Sequence, residues 1–342
     1  MTVRRRGGLV YVGLGVACAL MLVVGTCVGS VMLPPQETFA ICQRAVTGTA
    51  QPDPARAAII LSVRLPRVLC VALCGAILSI AGASMQGLLK NPLADGSTLG
   101  VSSGAALGAA ASIALGLTAP LGVFTPTMAF AAVGAFASLA FVLALSWRRA
   151  PSRSTNTLIL IGVIFSMFAS ALLSLIVTMA SDKVREITFW TMGSLAGSTY
   201  AEAAMLLATL AVCGTVLVLR ADELDAFSIG EDNARSVGVN VRRVRVTVLV
   251  ACSVLIGAAV SCAGTIGFVG LVTPHATRLL LGPSHRRLLP ASLLAGSVFL
   301  LAADLVARTV ASPLELPLGA VTSLVGSIIF VQIFYLMGRG KR

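Results

Sequence analysis

Long apolar runs separated by short polar segments cover most of the chain, and their lengths predict its secondary structure. A helix needs roughly 17–25 apolar residues to cross a bilayer. Nine runs approach or reach that length, at 8–33, 68–89, 101–118, 123–146, 157–180, 201–219, 244–263, 288–310 and 318–337. A shorter run lies at 269–281. The pattern predicts an all-α polytopic membrane protein with about ten transmembrane helices, one of them short.

The composition supports this fold class, because 57% of the 342 residues are hydrophobic and only 11% are charged. Soluble globular domains carry roughly a quarter charged residues. We therefore expect a single transmembrane domain over residues 1–342 with no separate soluble domain. The first run exceeds the about 7–15 apolar residues of a signal peptide, so it predicts a retained helix.

Positive charges are distributed unevenly between alternate polar segments. With a cytoplasmic N-terminus and ten spans, the inside segments hold 18 Lys and Arg residues and the outside segments hold 7. This bias follows the positive-inside rule and predicts cytoplasmic N- and C-termini in a bacterial cytoplasmic membrane. The net charge of +12 does not indicate nucleic-acid binding, because the basic residues are scattered among loops and form no continuous patch.

Residue types that carry enzyme or metal chemistry show no informative spacing. The eight cysteines follow neither a metal-binding nor a redox motif, and we expect no disulfide and no metal site. The sequence contains no glycine-rich phosphate loop of the GxxxxGK(S/T) type. It therefore predicts no catalytic residues and no cofactor, and ATP would have to be bound by a separate chain.

A block of small residues and prolines occurs twice, at 75–100 and at 257–282. An offset of 182 positions aligns nine identical residues, which in the first block are Gly75, Ala76, Ser79, Ala81, Gly82, Pro92, Ala94, Leu99 and Gly100. Small residues permit close helix packing in membranes. Two related halves of a polytopic chain are typical of transporters, whose pathway lies between them.

The segment 220–245 is the longest charged stretch of the chain. Its middle predicts two short helices at about 222–227 and 231–237, separated by Gly230 and ended by Gly238. Such a segment at the cytoplasmic face suits docking to a partner. An ordinary solvated loop is the alternative, although several apolar residues in the segment would then lack cover.

Several motifs occur in a fixed order in the two halves. The first half carries RLPR (64–67), GAxLxxxGxxxQ (75–86) and NPLAxxxxLGVSxGAxxG (91–108). The second half carries SIGEDNARSVGV (228–239), GTIGFVGLVTPHATRLLLG (264–282), HRRLLPASLLAG (285–296), AADLVAR (302–308) and ELPLGAVTSLVG (315–326). From about residue 60 to the C-terminus the chain resembles the iron-siderophore and vitamin B12 permease family, the membrane subunit of type II ABC importers. The first span resembles the family only in position and hydropathy.

The resemblance implies a ten-helix permease that works as a dimer around one translocation pathway. The second permease is another copy or a related chain. Two cytoplasmic ATPase subunits drive transport, and an extracytoplasmic iron-chelate-binding protein delivers the substrate. Helices 2–5, about 64–180, and helices 7–10, about 242–337, are then inverted repeats, with 221–243 as the ATPase-coupling segment.

An iron-siderophore complex is the substrate we expect from this resemblance, and cobalamin or haem in the same importer type is the alternative. An ion-coupled secondary transporter is a more distant alternative. It predicts buried acidic residues along the spans, for which Asp304 is the one candidate.

Family members dock acidic residues of the binding protein onto outside arginines. The matching positions are Arg64 and Arg67 in RLPR and Arg308 in AADLVAR. A guanidinium suits this role because it pairs with a carboxylate through two parallel hydrogen bonds. The alternative is that these side chains reach the lipid headgroups and anchor helix ends.

The resemblance also implies which residues couple the chain to its ATPase. The match rests on Gly230, Glu231, Ala234, Arg235 and Gly238. The two glycines permit sharp turns, and the small Ala234 permits close approach.

At the start of the fifth span, the resemblance makes Thr155 and Asn156 candidates for the inner end of the pathway. A helix N-cap at Ser154 or Thr155 is the alternative.

Four other polar residues have ordinary structural interpretations. We expect His285 to be solvated in an inside loop and Asp304 to pair with Arg308 one helical turn away. We expect Glu315 to cap or orient a short outside segment, and Gln86 to form a hydrogen bond between helices.

Overall fold

The computed structural model describes residues 3–29, 32–119, 124–149 and 155–339. Within these ranges the chain forms fourteen helices and no β-strand. The helices are α1 (Val3–Cys27), α2 (Pro35–Thr47), α3 (Pro54–Leu89), α4 (Val101–Ala114), α5 (Pro126–Arg149), α6 (Thr155–Met179), α7 (Val184–Met192), α8 (Tyr200–Leu219), α9 (Ala221–Ile229), α10 (Glu231–Ser236), α11 (Val241–Ala263), α12 (Val269–Leu281), α13 (His285–Thr309) and α14 (Leu318–Arg339).

Ten of these helices coincide with the ten predicted apolar runs. Seven of them, α1, α3, α5, α6, α8, α11 and α13, are long and apolar enough to cross a membrane. The other three are the shorter apolar helices α4, α12 and α14. The all-α polytopic fold is therefore confirmed, and the remaining four helices lie in the connecting segments.

Helix α3 begins outside the predicted second run and contains a wider turn. The predicted run starts at residue 68, whereas the helix starts at Pro54 and passes through a π-helical turn over Ile59–Arg64. Pro66 lies directly after this turn. Proline has no N–H to donate within a helix and crowds the preceding carbonyl groups. A π turn at this point gives the chain room to continue as one helix.

Helix α3 is the most deeply buried of the spanning helices, because it lies between α11, α12 and α13. Glycines allow this close packing. A Cβ atom added to Gly75 would lie 2.3 Å from the carbonyl oxygen of Gly296, and one added to Gly82 would lie 2.1 Å from that of Gly270. Any side chain at these positions would push the helices apart.

Polar side chains also join these helices inside the bundle. Gln86 donates from Nε2 to the carbonyl oxygen of Gly270 at 3.0 Å, which confirms the predicted hydrogen bond between helices. The hydroxyl groups of Ser79 and Thr273 lie 2.6 Å apart. Since water is scarce in the bundle, buried polar groups need such internal partners.

The two halves pack against each other in a reciprocal way. Helix α3 packs on α13, and α11, which carries the second repeat block, packs on α5. The aligned glycines follow the same pattern: Gly75 meets Gly296 of α13, and Gly257 faces the Cβ of Ala135 in α5 at 3.2 Å. This exchange of partners supports an inverted relation between 64–180 and 242–337, which stays a prediction.

Candidate functional site

The three arginines predicted to dock a partner lie together at one end of α3 and α13. Arg64 ends the π turn of α3 and Arg67 follows it, whereas Arg308 lies in the last turn of α13. Two carboxylates complete the group. We call these five residues the arginine cluster: Arg64, Arg67, Asp304, Arg308 and Glu315.

Arg67 connects α3 to α13 and to the segment before α14. Its Nε donates to Oδ1 of Asp304 at 3.0 Å, and its Nη1 donates to both carboxylate oxygens of Glu315 at 2.9 and 3.0 Å. Asp304 is fully buried, whereas the Glu315 side chain is half exposed. One guanidinium thus uses its fork of donors on two carboxylates at once.

Arg64 and Arg308 hold the end of α1. Arg64 donates from Nη1 to the carbonyl oxygens of Thr26 and Cys27 at 3.1 and 2.8 Å, and Arg308 donates from Nη2 to that of Gly25 at 2.7 Å. The last carbonyl groups of a helix have no partner within it and carry partial negative charge. Two guanidinium groups therefore cap α1.

The predicted pair between Asp304 and Arg308 is confirmed, with Arg308 Nε 3.2 Å from Oδ2 of Asp304. Asp304 also binds Arg67 of α3, which the sequence did not indicate because 237 positions separate the two residues. The buried Asp304 carboxylate therefore lies between two guanidinium groups, one from each of the two helices.

All three arginines are buried within this chain. Arg64, Arg67 and Arg308 are only 5%, 7% and 6% exposed. They therefore do not extend to lipid headgroups, and they do not form an open surface on this chain. Their role in docking stays a prediction, and it requires a partner to reach or displace groups that already have internal contacts.

A cavity of about 610 Å³ lies beside the arginine cluster. It is bounded by the start of α5, by α7, by the start of α8 and by the end of α11. Its wall includes Trp190, two glycines at positions 193 and 264, and three carboxylates, Glu186, Glu202 and Glu315. Glu315 thus belongs both to the cavity wall and to the arginine cluster.

The predicted coupling segment forms two short helices at the opposite end of α13. We call residues 221–238, which contain α9 and α10, the paired-helix segment. Gly230 separates the helices with φ 150° and Gly238 follows them with φ 87°. Side chains with a Cβ atom rarely adopt such angles, which explains why glycine occupies both positions. The two predicted helices are confirmed.

Apolar residues of the paired-helix segment divide into a buried set and an exposed pair. Leu224, Phe227 and Ala234 are fully buried against this chain. Ile229 and Val237 are 74% and 71% exposed. Ala234 therefore permits close approach of α10 to its own chain, and its part in coupling to the ATPase stays a prediction.

Charged residues of α10 are also divided between internal and exposed positions. Glu231 forms an ion pair with Arg245 of α11, which ties α10 to the bundle. Arg235 is largely exposed and lies 3.4 Å from Asp232 and 4.0 Å from Glu231. Of the residues implied to couple the chain to its ATPase, Arg235 is the charged side chain that a partner can reach most directly.

The expectation of a solvated His285 is wrong, because its side chain is buried at the start of α13. Asp225 of α9 holds this helix start. Its Oδ1 accepts from the backbone N–H of His285 at 2.7 Å and lies 2.6 Å from Nδ1 of the ring, and its Oδ2 accepts from the Ser284 hydroxyl at 3.0 Å. A carboxylate at a helix N-terminus is stabilised by the unpaired N–H groups and by the helix dipole.

The candidate gate residues lie at the start of α6. Asn156 is exposed there, whereas the side chain of Thr155 and all of Ser154 lie outside the described residues. The structure brings neither candidate to the arginine cluster or to the cavity beside it. The gate and its helix-cap alternative both stay predictions.

Comparisons with known proteins agree with these features. The model of the FecCD transport family matches residues 17–337. The uncharacterized ABC transporter permease protein YvrB of Bacillus subtilis is 44% identical over 328 residues, covering 95% of this chain and 92% of that protein. The cobalamin import system permease protein BtuC of Halobacterium salinarum is 40% identical, covering 80% and 73%. The hemin transport system permease protein HmuU of Yersinia pestis is 36% identical, covering 80% and 82%.

A solved structure shares the whole fold. It is an inward-facing conformation of a metal-chelate type ABC transporter, with a TM-score of 0.83 and 31% identity, covering 96% of this chain and 99% of that one. The family model also reaches into α1, for which the motifs gave no match. The chain therefore belongs to the FecCD transport family and is a permease of a type II ABC importer.

Proposed function

We propose that this permease carries an iron-siderophore complex across the bacterial cytoplasmic membrane, in an importer driven by ATP hydrolysis in two partner subunits. One observation carries the proposal. The arginine cluster and the paired-helix segment lie at opposite ends of the same helix, α13. A permease that receives substrate at one face and energy at the other needs a contact site at each face.

The orientation follows from charge. The segments on the side of the paired-helix segment hold most of the Lys and Arg residues, 18 against 7. Positive segments remain in the cytoplasm, so the paired-helix segment and both termini face inward. The arginine cluster and the cavity beside it then face outward.

The paired-helix segment provides the contact for the ATPase. Ile229 and Val237 present two exposed apolar side chains beside the exposed Arg235. Small apolar anchors surrounded by charged residues are typical of protein interfaces. Because the sequence has no phosphate-binding loop of its own, the ATP is bound by the partner.

The arginine cluster provides the contact for an extracytoplasmic binding protein. Glu315 is half exposed and occupies two donors of Arg67. A carboxylate of the binding protein would replace Glu315 on this guanidinium and restore the same two hydrogen bonds. Docking at Arg67 is then an exchange of one carboxylate for another.

A second permease, identical or related, completes the pathway. Helix α6 is largely unburied in this chain and exposes Leu160, Ile164 and Met167. This face suits either lipid or the second permease. If α6 borders the pathway, Thr155 and Asn156 at its start lie near the inner gate.

Cobalamin or haem is the second candidate substrate, because relatives named for cobalamin and hemin import are 40% and 36% identical to this chain. The secondary-transporter alternative has less support. Its one candidate carboxylate, Asp304, is fully buried and forms ion pairs with both Arg67 and Arg308, so it serves an internal contact between α3 and α13.

The test is uptake by proteoliposomes that contain this permease with its ATPase and binding protein. Radiolabelled ferric siderophores, cobalamin and haem are offered separately on the side of the binding protein. Each is tested with and without ATP on the side of the ATPase. ATP-dependent uptake of a ferric siderophore is the expected result. Uptake of cobalamin or haem alone would replace the substrate, and uptake that follows a proton gradient without ATP would refute the importer.

A further inference from the structure

Helices α3 and α13 form a pair that is joined along its length. Midway, the backbones of Gly75 and Gly296 are close enough to exclude any side chain between them. One turn away from this contact, the Ser297 hydroxyl donates to the carbonyl oxygen of Ala72 at 2.8 Å. Close backbone contact with an interhelical hydrogen bond leaves the two helices little freedom to slide.

At its inner end, the helix pair is joined to α9 by Asp225. The carboxylate holds the Ser284 hydroxyl, the His285 backbone N–H and the His285 ring, all within 3.0 Å. The ring in turn fills a space that α3 leaves at Gly87, where an added Cβ would lie 2.1 Å from Nε2 of His285. We call this group the Asp225 clasp. It places α9, α3 and α13 in mutual contact.

At its outer end, the pair is joined again by Asp304. This residue lies 19 positions after His285 on α13, which corresponds to about 28 Å along a helix. It binds Arg67 of α3 at 2.9 Å and Arg308 of its own helix at 3.2 Å. The same two helices therefore reach from the Asp225 clasp to the arginine cluster.

We propose that Asp225 is a positioning residue that makes α9, α3 and α13 move as one body, so that displacement of α9 by the ATPase reaches the arginine cluster. This inference rests on the proposed function. Asp225 acts through His285 and Ser284 and does not itself touch substrate. Glu231 has a different function, because its ion pair with Arg245 ties α10 to α11.

Asp225→Asn is the first test, made in the complete importer in proteoliposomes. The quantity measured is the ratio of ATP hydrolysis with the binding protein to hydrolysis without it. We expect the ratio to fall about tenfold, towards one. A tenfold change corresponds to the free energy of about one hydrogen bond to a charged group. Asp182→Asn is the matched control, since Asp182 is exposed, loses the same charge and lies outside both the paired-helix segment and the arginine cluster. An unchanged ratio in Asp225→Asn overturns the inference.

A covalent replacement of the clasp distinguishes positioning from simple stabilisation. In the double variant Asp225→Cys, Ser284→Cys, diamide accepts the two electrons and two protons of the thiols as the disulfide forms. In the native chain Oδ2 of Asp225 and the Ser284 hydroxyl lie 3.0 Å apart, and mass spectrometry of the linked peptides verifies that the bond forms. We expect the disulfide to restore the ratio that the reduced variant loses. Continued loss with the bond formed shows that α9 and α13 must move apart, and it overturns the inference.

Failure of the proposed function is recognised in the wild-type protein. A wild-type complex without stimulation by a binding protein contradicts the proposed function, whatever the variants do. The effect of the Asp225 clasp is then measured in the permease alone, as the rate of hydrogen exchange of the backbone amides. We expect Asp225→Asn to increase exchange both in α9 and near Asp304, at the far end of α13. Increased exchange in α9 alone overturns the inference.

Discussion

The two ends of α13 differ in how their charged residues are used. At the arginine cluster, three guanidinium groups are buried and bound to carboxylates and carbonyl oxygens of the same chain. In the paired-helix segment, the internal contacts are made by Asp225 and Glu231, while Ile229 and Val237 remain exposed. The charged groups at one end have their partners within the chain, whereas the other end exposes apolar side chains that a partner protein can contact.

This difference shows that a motif can predict a docking residue without that residue being exposed on the surface of the isolated chain. The motifs predict docking at both ends with similar reasoning, but Arg235 of the paired-helix segment is exposed, whereas the three arginines predicted to dock at the other end are buried. At the arginine cluster a partner must compete with internal groups, and Glu315 is the most exposed of these. We expect association at that end to require a carboxylate of the partner to replace an internal one. Mutation should therefore change association differently at the two ends.

Replacement of the buried carboxylate is expected to have the largest effect. Asp304→Asn leaves Arg67 and Arg308 without their shared buried counter-charge, which costs about 3–5 kcal/mol of unfolding free energy. Denaturation of the purified permease in detergent measures it. Asp232→Asn is the control, because the Asp232 side chain is 98% exposed and should change stability by less than about 0.5 kcal/mol. Similar losses in both variants would remove the contrast between the two ends.

Charge placed on the exposed apolar pair should abolish partner association without unfolding the chain. Each of Ile229 and Val237 contributes about 1.5–3 kcal/mol if it is buried at an interface, so Ile229→Glu with Val237→Glu should weaken ATPase binding at least about tenfold. Binding to permease in nanodiscs measures this. Ile229→Leu with Val237→Ile keeps the apolar surface and should bind normally. Normal binding of the double glutamate variant would place the ATPase contact elsewhere.

A side chain at Gly238 should have a smaller effect, confined to the paired-helix segment. Gly238 has φ 87° with no neighbouring atom in the way, so Gly238→Ala adds strain of about 1–2 kcal/mol without a clash. We expect a modest fall in ATPase affinity and in the midpoint of unfolding. Gly197→Ala is the control, since Gly197 also lies in open space but lacks a positive φ. Equal effects would argue against a backbone cause.

Removal of the competing carboxylate should give the smallest effect, and one of opposite sign. Glu315→Gln breaks a half-exposed ion pair worth no more than about 1 kcal/mol, and it frees Arg67 for the carboxylate of a partner. We expect the binding protein to associate a few times more tightly, as measured by titration against permease in nanodiscs. Glu186→Gln is the control, because Glu186 forms a surface ion pair with Lys183 at 3.7 Å and does not belong to the arginine cluster. Weaker association would show that Glu315 itself supports docking.

The fold was predictable because the sequence patterns that determine it lie within short stretches of the chain. Apolar runs and turn residues placed all ten spans, and charge with two glycines placed the paired-helix segment. The sequence missed where α3 begins, because the polar and proline-containing residues before 68 hide a helix that continues through a π turn from Pro54.

The contacts of the candidate site were less predictable because they join distant parts of the chain. The burial of Arg67 depends on Asp304 and Glu315, which are 237 and 248 positions away. Asp225 and His285 are 60 positions apart. The basic residues next to His285 in the sequence predict a solvated side chain, because they give no sign of its distant partner. The local pair of the arginine cluster, Asp304 with Arg308, was predicted correctly.

Hydrogen bonds to backbone carbonyl oxygens attach helix α1 to the bundle at two places. Arg64 and Arg308 bind the carbonyl oxygens of its last turn, and the Tyr11 hydroxyl donates to the carbonyl oxygen of Arg287 at 2.6 Å near the other end. Carbonyl oxygens are present whatever residue bears them, and the apolar middle of the helix is not buried. The hydrogen bonds that hold this span therefore make few demands on side-chain identity, and exchange of one exposed apolar residue for another, at Val12 or Val16 for example, should be tolerated.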